Sequence, residues 1–375
     1  MKKFLISFIV IIFIILGSLY VLGGRIQRLF FSPQTPRSEV RATLRNIETG
    51  DIQTITENLK IPWEIAFLPN GEMLVTQRSG DILKIGSNKV IVKIQGVEHV
   101  GEGGLLGMAL HPEFEKNNWL YLYLTTNQKN GLVNRVERYK FVGDVLSENT
   151  VIIDDIPGAQ NHDGGRIRFG PDKKLYVTTG DAGQSDRAQD LNFLGGKILR
   201  LNDDGSIPDD NPFDNSPVYS FGHRNPQGLA WDSQGNLWST EHGRSGALSG
   251  FDELNLIGPG RNYGWPVIQG DEGREGMEEP IIHSGSDFTW APAGLVYYNG
   301  SLFFSGLRGE SIYEFVVSSK KLETHFFEDF GRLRAVVLGP DGFLYVSTSN
   351  MDGRGEVRVG DDKIIKINPR VFTSQ

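Results

Sequence analysis

Ile167-Arg168-Phe169-Gly170-Pro171-Asp172-Lys173-Lys174-Leu175-Tyr176-Val177-Thr178 reads as a short alternating strand, a Gly-Pro-Asp turn and a returning strand of aromatic and β-branched residues. Such chemistry makes a hairpin, because Gly, Pro and Asp favour the tight turn and Tyr, Val and Thr suit a pleated surface. Val336–Ser347 and Ile65–Thr76 follow the same plan, and weaker copies lie at Met108–Leu122, Leu229–Ser239 and Leu295–Ser305. Helical periodicity is almost absent between them. One hairpin recurring at intervals of roughly 40 to 65 residues suits radial repetition, in which four-stranded blades leave only short protected edges. The expected fold is therefore all-β, a six-bladed β-propeller of four-stranded antiparallel blades over residues 52–371. A large β-sandwich, the alternative, would not repeat one strand-turn-strand signature at near-regular spacing.

Outside the repeats the chain changes character. After Met1-Lys2-Lys3, an uncharged run extends from Phe4 to Leu22 and closes on Gly23-Gly24-Arg25. At about 1.5 Å per residue, such a run as a helix is just long enough for a bilayer core of about 30 Å. Residues 1–24 are thus read as an N-terminal hydrophobic helix, a membrane anchor with Lys2 and Lys3 in the cytoplasm; a cleaved signal peptide is the alternative. Residues 25–51, with Pro33, Pro36 and several charges, read as a linker. An extracytoplasmic, periplasmic or cell-surface body tethered through residues 4–22 follows. With no cysteine among 375 residues, stability in an oxidising compartment has to come from core packing. A formal net charge of -8 gives no electrostatic footprint for nucleic acid, and 46 glycines fit a chain of many tight turns.

Function in a propeller resides in the loops. Asn161-His162-Asp163-Gly164-Gly165-Arg166 precedes the third repeat and Thr179-Gly180-Asp181-Ala182-Gly183 closes its hairpin, so His162 and Asp181 share one rim. A carboxylate on one imidazole nitrogen leaves the other as an oriented base. A histidine that merely caps a turn is the plainer alternative. Further loops are dense in Gly, His, Arg and Asp: Phe221-Gly222-His223-Arg224-Asn225-Pro226-Gln227-Gly228, Glu241-His242-Gly243-Arg244, Asp252-Glu253-Leu254-Asn255 and Asn262-Tyr263-Gly264-Trp265-Pro266.

With Gly101-Glu102-Gly103-Gly104-Leu105-Leu106-Gly107 and Gly195-Gly196-Lys197-Ile198-Leu199-Arg200, these stretches resemble the glucose/sorbosone dehydrogenase family, in particular its aldose sugar dehydrogenases that use pyrroloquinoline quinone (PQQ). The similarity runs from about Ile55 to Ile367, and the family's six-bladed propeller agrees with the repeat count. The resemblance implies oxidation of an aldose at C1 to its aldonolactone. His162 would remove the anomeric hydroxyl proton, Asp181 would orient it, and Arg224 would face the quinone oxygens. Gln77, Asn225 and Gln227 would be further cofactor contacts. PQQ carries three carboxylates, whose burial demands cations; Arg308, Arg332 and Arg334 are the candidates. Side chains alternate along a strand, so Arg332 and Arg334 point to one face.

The resemblance also implies Ca²⁺, bound through backbone carbonyls at Gly243 and Arg244, with a second, structural ion at the Glu253 carboxylate and the Tyr263 carbonyl. Arg244 departs from the family's commoner proline. A short charged insert at Gln269–Gly276 replaces a longer substrate-side loop, leaving Trp290 as either a sugar-stacking face or a core aromatic. Expected partners are an aldose and a membrane quinone or cytochrome as electron acceptor. Two other readings remain at this point, a calcium-dependent propeller lactonase and a non-catalytic carbohydrate-binding propeller.

Overall fold

The computed structural model describes residues 47–86, 89–129, 131–244 and 250–372. The expected N-terminal helix and most of the linker lie outside the described residues. Among the described residues no helix is long and apolar enough to cross a membrane.

Six four-stranded antiparallel sheets follow one another around an axis. Five are built from consecutive strands: β2–β5 (Pro62–Phe67, Met73–Gln77, Asp81–Lys84, Lys89–Lys93), β6–β9 (Leu105–Leu110, Trp119–Gln128, Gly131–Val142, Val145–Pro157), β10–β13 (Ile167–Phe169, Leu175–Thr179, Lys197–Leu201, Val218–Phe221), β14–β17 (Pro226–Trp231, Leu237–Glu241, Glu253–Ile257, Ile282–His283) and β18–β21 (Pro292–Tyr298, Ser301–Gly306, Ile312–Val316, Lys321–His325). The sixth joins β22 (Leu333–Leu338), β23 (Leu344–Thr348) and β24 (Ile364–Ile367) to β1 (Ile52–Thr56), which pairs Ile52 with Ile367. Both ends of the described chain thus share one blade, which closes the ring and leaves β1 as the short outer edge of the sixth blade.

Each of the six repeated hairpins forms the two innermost strands of a blade. In blade 3 the turn closes through Lys173 N–H to the Gly170 carbonyl at 2.9 Å, while Asp172 Oδ1 accepts from Lys174 N–H at 3.0 Å. Lys173 there has φ of +61°, the left-handed position that blade 6 gives to Gly342 at +79°. The apolar side chains that alternate along these strands pack blade on blade. Trp63, Tyr121, Tyr123, Ile167 and Val177 form one such cluster. Trp290, only 4% exposed, packs against Phe304 and Tyr313, which makes it a core aromatic and not a sugar-stacking face.

A buried ionic knot closes the centre. Glu64 of β2 pairs with Arg166, just before β10, and with Arg168; Arg166 Nε donates to the Gln227 carbonyl of β14 at 2.8 Å and its guanidinium lies over Trp63. Burial would raise the Glu64 carboxyl, but the two arginines outweigh it and hold it ionised. Arg334 lies 5.9 Å from the same Trp63 ring, which sets the knot next to the arginines of the rim site.

Candidate active site

On one rim, the loops that enter each innermost strand and leave the next bring charged side chains together. His162 and Asp181 meet as expected: Nδ1 lies 2.7 Å from Asp181 Oδ1. The carboxylate also accepts from Gly183 N–H at 2.8 Å and from Trp265 Nε1–H at 2.9 Å. Burial acts to raise the Asp181 carboxyl; the hydrogen bond and charge of His162 outweigh it and lower it. An ionised carboxylate on Nδ1 selects the tautomer with Nδ1–H and leaves Nε2 as the base, and the ring keeps 17% exposure for a substrate to reach it.

Arg224 borders this pair. Its carbonyl accepts from Asp181 N–H at 2.8 Å, its N–H donates to Glu241, and its guanidinium lies 5.3 Å from the Trp265 ring and reaches the His242 carbonyl at 3.4 Å. Asn225 Oδ1 accepts from Gly164 N–H at 3.0 Å, fixing the start of the loop behind His162, while its Nδ2 is buried without a partner. Gln227 Oε1 accepts from Arg334 at 3.4 Å. Gln77 is buried on the same rim, with Oε1 taking Lys60 N–H at 2.5 Å.

The late arginines converge as well. Arg332 makes a bidentate pair with Asp352, Oδ2 lying 2.8 Å from one of its terminal nitrogens, and Arg334 reaches the same carboxylate at 3.8 Å. Arg332 also donates to the Leu307 carbonyl at 3.0 Å, tying blade 6 to the Arg308 loop of blade 5. Burial pushes the Arg334 guanidinium down to about 9, with the charges of Arg78 and Arg332 adding to the effect. Burial lowers Arg78, Arg224 and Arg308 too, and Arg354 and Arg332 oppose the charge on Arg78 and Arg308 respectively. Asp352, Glu102, Asp252 and Asp181 offset part of that burial penalty, and an anion entering the basin would be held by several guanidiniums at once.

Gly243, Arg244 and Glu253 line a small pocket beside Arg224, Glu241 and Trp265. Glu253 faces Glu241 across β15 and β16, and burial together with the Glu241 charge pushes its carboxyl up to about 8. Arg224, His242 and Arg244 line the same pocket, so basic side chains stand beside the two carboxylates. Arg244 Nε is buried there without a partner, its guanidinium 5.0 Å from the Phe251 ring. The Tyr263 side chain is turned elsewhere: its ring stacks on His223, its hydroxyl donates to the Leu256 carbonyl, and it lines a groove of about 550 Å³ between blades 3 and 4. Tyr263 is not among the residues that line the Glu253 pocket.

Several members of the site carried no assignment in the sequence. Glu102 lies in a quoted glycine-rich motif, whose density of Gly and Glu was its one signal. Arg78, next to Gln77, donates to the Gly101 carbonyl, and Asp352 and Arg354 sit on the loop after the sixth repeat. Asp252 Oδ2 gathers Thr289 Oγ1, Trp290 N–H and Ala291 N–H, and Oδ1 takes Gly243 N–H at 2.8 Å, which pins the Gly243 loop to blade 5.

Comparison with known proteins adds three findings. The model of the Glucose / Sorbosone dehydrogenase family matches residues 59–359. The aldose sugar dehydrogenase YliI of Escherichia coli is 32% identical over 360 residues, covering 86% of this chain and 94% of its own. The solved PQQ-bound form of an aldose sugar dehydrogenase from Streptomyces coelicolor superimposes with a TM-score of 0.77 at 38% identity, over 84% of this chain and 96% of that one.

Proposed function

Since the chain belongs to the glucose/sorbosone dehydrogenase family, an oxidoreductase fold family, we propose that it oxidises aldoses at C1 to aldonolactones, with PQQ as the cofactor and Ca²⁺ beside it. The observation that carries this reading is the convergence of buried guanidiniums from several blades next to a carboxylate-oriented imidazole.

The residues present fit both groups. Arg224, Arg308, Arg332 and Arg334, with the unpartnered Asn225 Nδ2, would take the carboxylates and carbonyls of PQQ, and Gln77 and Gln227 would border it. Carbonyls at Gly243 and Arg244 would take the hard cation beside PQQ, and the Glu253 carboxylate with the Tyr263 carbonyl would take a second one, since such ions prefer oxygen ligands. When bound, PQQ would supply the two-electron acceptor for the hydride that leaves C1, with Ca²⁺ as the Lewis acid.

The chain's own work is proton management and positioning. His162 Nε2 takes the proton of the C1 hydroxyl; oxidation of a hemiacetal requires that proton to leave as hydride departs. Asp181 stabilises the imidazolium formed and keeps Nδ1 protonated throughout. Trp265 and Gly183 hold the carboxylate by its two oxygens, so the pair turns as a unit or not at all. Arg224, above Trp265, places positive charge where negative charge builds up. The uncharged Phe4–Leu22 run supports an exported, membrane-held enzyme that hands electrons to a membrane quinone or cytochrome.

Mixing apoprotein with PQQ, Ca²⁺ and a dye acceptor should give aldose-dependent dye reduction. His162→Ala should abolish turnover and leave PQQ binding within a few-fold. Sugar-independent reduction, or turnover with NAD in place of PQQ, would overturn the proposal.

A further inference from the structure

His162 has φ of +63°. The left-handed region is unfavourable for a residue with a Cβ, so this main chain has to be held there by its surroundings. Both flanking peptide groups are held. The His162 carbonyl accepts from Ala182 N–H at 3.2 Å, and its N–H donates to Glu102 Oε2 at 3.0 Å. Glu102 comes from the loop entering blade 2, and that loop lies flush on the histidine segment: Glu102 N–H donates to the Gln160 carbonyl at 2.8 Å, and a Cβ on Gly101 would overlap the same carbonyl.

The second oxygen of Glu102 is used as well. Arg354, from the loop of blade 6, pairs with Oε1 at 2.6 Å and donates to Asn161 Oδ1 at 2.9 Å, so it grips the residue before the base and the acceptor of the base's N–H. Burial acts to raise the Glu102 carboxyl, but Arg354, His242 and His162 outweigh it and hold it well below the usual carboxylate range. Arg354 is fixed in turn by its own N–H on Asp352 Oδ1 at 3.0 Å, and Asp352 is the partner of Arg332.

We propose that Glu102, braced by Arg354, is a positioning residue for His162. It locks the left-handed main chain of the base, so that with Nδ1 on Asp181 the ring can present Nε2 in one direction only. Through the two-residue step from Arg354 to Asp352 it also sets that direction relative to the guanidiniums of blade 6. The inference rests on the role of His162 as base, but the contact itself is independent of any cofactor.

The test uses the full chain with ¹⁵N-labelled histidine, its seven His giving seven candidate amide signals, of which His162→Gln identifies one. In apoprotein, Glu102→Ala should move the His162 amide upfield and speed its hydrogen exchange by about tenfold or more, while Glu102→Gln, which keeps an acceptor oxygen, should move it far less. With PQQ and aldose saturating, Glu102→Ala should lower kcat by about 10- to 100-fold with KM and PQQ affinity within about threefold, and Glu102→Gln should recover most of the loss. Arg354→Ala should fall between them. An unmoved amide in Glu102→Ala overturns the proposal, as does a moved amide with unchanged kcat, or a kcat loss matched by weaker PQQ binding. Failure of the wild-type protein to oxidise any aldose would sink the proposed function instead, with the amide measurement still deciding the Glu102 contact.

Discussion

Asp181→Asn replaces a carboxylate that accepts three hydrogen bonds with an amide that has one acceptor oxygen. The bonds divide unevenly: Oδ1 takes His162 Nδ1 and Gly183 N–H, and Oδ2 takes Trp265 Nε1–H. If the amide oxygen occupies the Oδ1 place, its NH₂ faces the indole N–H and two donors oppose each other. In the reverse orientation the NH₂ faces Gly183 N–H and can only donate to Nδ1, which forces the proton onto Nε2 and removes the base. With Asp181 1% exposed, either arrangement strands a buried donor at a cost of about 1–3 kcal/mol. The catalytic loss should be larger, because in neither orientation does the neutral amide stabilise the imidazolium, and in the second the wrong tautomer also forms, forfeiting general-base assistance worth about 10²–10⁴ in rate. The assay is PQQ- and aldose-dependent dye reduction at saturating sugar, with PQQ affinity from a separate titration. We expect kcat to fall by about 10²–10⁴ with PQQ affinity nearly constant, and Asp181→Asn to cost almost nothing further on a His162→Ala background, since the carboxylate acts only through the ring. A single variant within threefold of wild type, or a full additional loss in the double variant, would refute the reasoning.

Other consequences follow from the same contacts. Asp352→Asn leaves Arg332 and Arg334 without their buried anion, so the apoprotein should lose about 3–5 kcal/mol in chemical denaturation, and PQQ should raise its melting temperature more than it raises that of wild type; equal shifts would argue that these arginines do not receive the cofactor. Gly180→Ala should depress kcat at least tenfold, because the new Cβ would overlap the His162 carbonyl and push the base off its direction; full activity would show that the loop yields freely. Burial pushes the Asp163 carboxyl up to about 6 against a usual 3.8. The folded chain therefore holds a proton that the unfolded chain has released between about pH 4 and pH 6, and wild type should lose up to about 3 kcal/mol across that window. Asp163→Asn should lose correspondingly less when denatured at pH 4.5 and 7.5, and parallel losses would contradict the assignment.

The hairpins were legible because turn chemistry and alternation act within a dozen residues. Ile167–Thr178 and Val336–Ser347 carry their whole structure locally, and the ring of six follows from repetition. The closing strand β1 has no such signal, since its partner Ile367 lies more than three hundred residues away and only the folded ring brings them together. The site divides in the same way. His162 and Asp181 flank one hairpin, so their meeting could be read from the strand that joins them. Glu102 and Arg354 are 252 positions apart, and no local rule connects a glycine-rich loop of blade 2 to a loop of blade 6. Asp352 is different: it lies 20 positions from Arg332 across the sixth hairpin, the same relation that joins His162 to Asp181, and a single Asp in a loop of several charges gave no signal of its own. Trp290 illustrates the opposite failure: an aromatic beside a loop gives no hint of which way it turns, and three-dimensional packing on Phe304 and Tyr313 decides it.

The absorbance spectrum of the protein reconstituted with PQQ and Ca²⁺, recorded before and after an aldose is added, tests the central claim most directly. The oxidised quinone band should appear on a stoichiometric bound cofactor and bleach on addition of sugar in wild type, and it should persist in His162→Ala that still binds PQQ. A chain that takes up no PQQ, or a band that bleaches equally without His162, would contradict the account.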